Sequence, residues 1–169
     1  MRWSPMAVAA ALAIAGAVAP VAAHVLPDYS IDQLTRRAAV VLEGEVTFVH
    51  SDWSIDRTRI YTSVRVQVTQ YHKGNLGRQL VDLRLLGGTV RDITMAVIGQ
   101  PGFEPGERVF LFLEPNHQTR DVPLVGGEEG KLRVSTSATG GEVLMGPHQT
   151  FEKIDAINEI RAVLRPIGQ

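Results

Sequence analysis

A chain of 169 residues with 17 basic and 18 acidic side chains and no cysteine is the size of one domain held together by packing rather than disulfides. Its formal net charge of −1, with no long run of either sign, lacks the basic footprint of a nucleic-acid or anionic-membrane binder. Residues 1–23 read as an export signal. Arg2 supplies a short positive region, residues 6–18 an unbroken apolar and small-residue run, and Val21-Ala22-Ala23 a cleavage site. The run is too short for a spanning helix, which needs about 20 residues. The expectation is a periplasmic or secreted protein, cleaved near Ala23, with no membrane attachment afterwards and a single domain over residues 24–169.

Residues 24–29 form a short lead. Ser30, with Gln33 three positions on, is a capping-box pattern and predicts a short helix over 31–37. In residues 39–49, Val40, Leu42, Gly44, Val46 and Phe48 alternate with Val41, Glu43, Glu45, Thr47 and Val49, which predicts a first strand. Gly44 in its middle marks a bend or a close backbone approach. Residues 51–57 form a polar loop that carries Trp53 between Asp52 and Asp56.

The stretch 58–74 organises the domain. Ile60, Thr62, Val64, Val66 and Val68 hold every second position against Tyr61, Ser63, Arg65, Gln67 and Thr69. That period of two predicts a long strand with one buried and one wet face. The apolar row slips out of phase between Gln70 and Tyr71, the signature of a bulge or strand exit. A third strand is predicted at 80–86, broken by Gly87-Gly88, and another at 90–98. Glu104-Pro105-Gly106-Glu107 has the composition of a type II turn. Residues 109–113 are apolar on both faces and predict the most buried strand. Residues 121–125 and 131–134 flank a glycine-rich segment as a hairpin, and 142–145 adds a short strand. Thr150 is placed to cap a final helix at about 150–165 with a stripe of Phe151, Ile154, Ile157, Ile160, Val163 and Leu164. Many short strands without β-α-β alternation predict a mainly β, antiparallel barrel or sandwich flanked by two helices.

Several of these strings resemble a group of exported bacterial proteins. They are Val40-Val41, Gly44 and Val46 within residues 39–46, and Tyr61-Thr62, Val64 and Val66 within 59–66. Lys73-Gly74, Gly87-Gly88, and Pro105 to Val109 within residues 103–113 complete the set. The resemblance spans most of residues 30–134 and implies a cysteine-free relative of the netrin-like and metalloproteinase-inhibitor barrel, an OB-type fold. Inhibitors of that kind depend on a cysteine at the mature N-terminus. This chain has none, so their mechanism does not carry over, and the matched strings mark fold rather than function.

The sequence offers little chemistry. There is no cysteine nucleophile and no Gly-x-Ser-x-Gly elbow. Gly126-Gly127 and Gly140-Gly141 do not lead into helices as a phosphate loop does. No catalytic residue is assigned, and a hydrolase whose site carries no motif is the weakest reading. The five histidines (His24, His50, His72, His117, His148) form no metal-binding motif. Cleavage after Ala23 would nonetheless place His24 at the mature N-terminus, where its imidazole and the α-amine suit Cu(II). A copper-binding protein is therefore the alternative function. Glu128 and Glu129 lack the company of oxygen ligands that Ca²⁺ needs. The leading expectation is a non-enzymatic binding module for another extracytoplasmic protein, without cofactor, with Trp53, Asp52 and Asp56 as the contact residues.

Overall fold

The computed structural model describes residues 29–166. The expected export signal over residues 1–23, and His24, lie outside the described residues. Helix α1 (Ile31–Arg37) begins as its sequence dictates: the Ser30 hydroxyl accepts the Gln33 N–H and the Gln33 side chain returns to the Ser30 N–H. Strand β1 (Val40–Trp53) and strand β2 (Ile60–Lys73) then form a hairpin of two 14-residue strands. Strand β3 (Leu80–Leu86) continues the sheet, and β4 (Gly88–Val90) and β5 (Ile93–Met95) pair as a small hairpin sheet of their own. After these come β6 (Arg108–Leu113), β7 (Lys131–Thr136), β8 (Glu142–Met145), β9 (Thr150–Glu152) and helix α2 (Lys153–Leu164).

The seven-stranded antiparallel sheet runs in the order β3-β2-β1-β6-β7-β8-β9. Its terminal strands do not pair with each other, so the sheet stays open and the architecture is sandwich-like rather than a closed barrel. The long hairpin bends through three register shifts, between Val41 and Leu42, Glu43 and Gly44, and Val46 and Phe48. The first two skip His72 and Thr69 on β2, where the sequence loses phase. Gly44 is required at the second: a Cβ there would lie 2.5 Å from the Gln67 carbonyl oxygen.

Side chains alternate into two cores. One face of the sheet gathers Leu42, Val46, Val64, Val66, Leu83 and Leu111. The other packs Val41, Phe110, Phe112 and Leu144 against α1 and α2. Strand β6 contributes to both, and Val109 through Leu113 are all completely buried. The central, doubly covered strand is where the apolar run predicted it.

Four expectations are corrected. Strand β1 runs on through Trp53, so the tryptophan ends a strand, opposite Ile60, rather than lying in a loop. Residues 90–98 are not one strand but part of two short ones, turned at Arg91, whose φ is 54°. Residues 121–125 and 131–134 do not pair with each other. Leu124 bridges Leu113 and β7 pairs with Val109 to Leu111, so both lie along β6, with a 3₁₀ turn at Gly127–Gly130 between them. Lastly, Thr150 and Phe151 pair with β8, and α2 starts at Lys153 with no side-chain cap. Its buried face is Ala156 and Ile160, with Ile157 beside them, while Ile154 is 61% exposed. The contacts with β8 and α1 rotate the helix away from the stripe that sequence spacing suggests.

Candidate interaction surface

One end of the sheet carries the residues singled out by sequence. Beyond Trp53 the β1–β2 connection is a loop of residues 54–59 held by its own polar groups. The Asp56 carboxylate accepts the Ser54 hydroxyl (2.5 Å), the Thr58 hydroxyl (2.8 Å) and the Thr58 N–H (3.3 Å). The Ser54 N–H donates to the Arg59 carbonyl at 2.7 Å, and the Arg59 N–H to the Ser54 hydroxyl at 3.0 Å. The Ser54 and Thr58 hydroxyls, in that order, hold the Asp56 carboxyl down to about 2. A carboxylate that accepts several hydrogen bonds is stabilised in its charged form. Asp52 is tied down more simply, accepting the Trp53 N–H at 2.7 Å.

The β4–β5 hairpin stands beside this loop because of two glycines, Gly87 and Gly88. Gly87 donates its N–H to the Ile60 carbonyl at 2.7 Å, and its own carbonyl accepts the Thr62 hydroxyl at 2.7 Å. Gly88 follows with φ 133°, in space where a Cβ would collide with the Ser51 and Thr62 hydroxyls. No other residue type turns the chain here and keeps it against β1 and β2.

The juxtaposition makes a cleft of about 660 Å³ between the two hairpin tips, lined by Trp53, Ile55, Arg57, Val90, Arg91 and Ile93 among others. A second, of about 530 Å³, is lined by Trp53, Asp52, Ile55, Asp56, Tyr61 and Arg84. Trp53 is half-buried and forms a wall of both. Across the second cleft the Arg84 guanidinium lies over the Tyr61 ring, 3.5 Å from its centroid. Ile55 is fully exposed, and Ile93 is 50% exposed. Trp53, Asp52 and Asp56 are thus brought to one surface. Sequence reasoning missed Ile55, Arg57, Arg91 and Ile93. The Ser54, Asp56, Thr58 spacing signals a self-bonded turn, but nothing local reveals which apolar side chain is left outside it.

A second constellation is buried. Glu43 sits within 2.8 Å of Lys153 Nζ, 3.1 Å of Arg108 Nη2 and 3.7 Å of His72 Nε2. Glu142 bridges Arg108 at 2.6 Å and Lys153 at 2.7 Å. The His72 ring stacks on Phe110 with centroids 4.6 Å apart. The adjoining His72 imidazole is the strongest influence holding the Glu43 carboxyl down to about 2; burial opposes it, and Lys153 and Arg108 reinforce it. With the Glu43 and His72 side chains only 7% and 3% exposed, a substrate has no access to them. The network fastens α2, through Lys153, to β1 and β8. Likewise Glu107, just before β6, joins Lys131 at 2.7 Å and Arg133 at 2.9 Å and so ties the start of β6 to β7.

Among the described residues no group of three or more His, Asp or Glu side chains is arranged to hold a metal, and no helix is long and apolar enough to cross a membrane. Against known proteins, no family model matches the chain, and neither does any curated protein.

Proposed function

We propose that the protein is an exported, non-enzymatic binding module that engages another extracytoplasmic protein through the two hairpin tips at the end of its sheet. One observation carries this reading: a loop locked by its own hydrogen bonds holds Trp53 between two clefts and leaves Ile55 wholly in solvent. Tryptophan is enriched among the few residues that dominate binding energy. A preformed surface also avoids much of the ordering cost of association. The charges around it are balanced, with Arg57 and Arg91 against Asp52 and Asp92. Such a pattern suits a protein surface of mixed charge better than a polyanion.

Trp53→Ala tests the proposal. Losing such an anchor costs about 2 kcal/mol or more, roughly a thirtyfold loss of affinity. The expected outcome is loss of the partner that the wild-type protein captures from an envelope extract, with a near-normal unfolding midpoint. A lowered midpoint with capture intact would make Trp53 a packing residue and overturn the assignment.

A further inference from the structure

The same end of the sheet carries a sharper inference, which rests on the reading just given. We infer that Ile55 is a second anchor beside Trp53, a convex apolar knob that enters a concave apolar pocket on a folded protein partner whose rim carries both signs of charge. Trp53 stands at the base of the knob and Ile55 at its apex, since Trp53 is half-buried while Ile55 has no covered surface at all.

Three features support the assignment. The loop is pre-set, because Asp56 and Ser54 tie both of its ends before any partner arrives. Both tips also turn at an arginine in the left-handed region, Arg57 and Arg91, each with φ 54°. Glycine would occupy that conformation without strain, and strained residues of this kind gather at functional sites. Finally, among the described residues neither guanidinium has an ion pair or hydrogen bond, although other arginines, such as Arg59 and Arg65, do. Two held, unpaired cations facing one cleft are placed to meet carboxylates on a rim.

The shape selects the class of occupant. Ile55 lines both clefts but projects beyond them, so a peptide lying in either would leave its outer face uncovered, whereas a concave pocket encloses it. A lipid surface fits poorly, because Asp52, Asp56 and Asp92 surround the apolar apex and would meet the headgroups with no net positive charge to offset them.

The test uses the full-length chain with a photo-crosslinking amino acid at Ile93 on the neighbouring tip, and Ile, Val, Ala or Asp at position 55. All four forms should unfold at the same midpoint, since the side chain is fully exposed. Irradiation in envelope extract should give one discrete protein adduct. Its half-saturating extract concentration should rise a few-fold for Ile55→Val and tenfold or more for Ile55→Ala, and the adduct should vanish for Ile55→Asp. An adduct indifferent to residue 55 would overturn the anchor while leaving the surface in place. No adduct from position 93, with crosslinking instead from a probe on α2, would overturn both. Co-sedimentation with phosphatidylethanolamine–phosphatidylglycerol vesicles, abolished by Ile55→Asp, would replace the protein pocket by a membrane and overturn the inference.

Discussion

Glu43→Ala is expected to destabilise the fold by about 1–3 kcal/mol, the cost of leaving buried polar partners without their hydrogen bonds. Glu142 still neutralises Lys153 and Arg108, but His72, whose side chain is 3% exposed, loses the carboxylate beside it. The same network sets a pH dependence whose sign follows from the carboxyl itself. Its folded value of about 2 lies below the ordinary 4.5. The folded state therefore holds the proton less tightly than the unfolded state does. The stabilisation is complete above about pH 4.5 and is lost as pH falls through the window from 4.5 towards 2. Denaturant midpoints of wild type and Glu43→Gln should differ most near pH 7 and converge as the pH approaches 2. A gap of constant size across that range would contradict the account.

Val64→Asp is the second large effect. Val64 is 1% exposed and lies between Val49 and Leu83 across the strands. An unpaired carboxylate there costs several kcal/mol or is forced to take up a proton. Arg65→Asp, one position along, acts on the wet face. It breaks the 2.7 Å pair with Asp82 and sets two carboxylates opposite each other, a loss of about 1 kcal/mol or less. Urea midpoints should place Val64→Asp far below Arg65→Asp; equal losses would mean that the strand faces the other way.

What was legible in the sequence followed from local physics. The capping box of α1, the long alternation of β2, the doubly apolar β6 and the turn at Pro105-Gly106 each depend on neighbours within a few residues. Each stands where its residues require; in the turn, Gly106 has φ 84° and Glu107 donates back to the Glu104 carbonyl at 3.1 Å. The errors arose where distant segments decide. Residues 121–125 and 131–134 each suit an edge of β6 better than they suit each other, and Phe151 is drawn into a strand by β8. The candidate surface was half legible. Trp53 among acids is conspicuous in any polar stretch. The fully exposed Ile55 and the approach of Arg91 and Ile93 to it depend on how Gly87 and Gly88 fold the second hairpin back, which no local pattern encodes.

Hydrogen–deuterium exchange, measured on the protein alone and on the protein bound to the partner it captures, shows whether this end of the sheet is the contact surface. Slowed exchange is expected in two separate stretches, residues 52–59 and 90–95, with the helices and β6 to β9 unchanged. Protection over α1, α2 or the β7–β8 turn, with both hairpin tips exchanging as freely as before, would contradict that assignment.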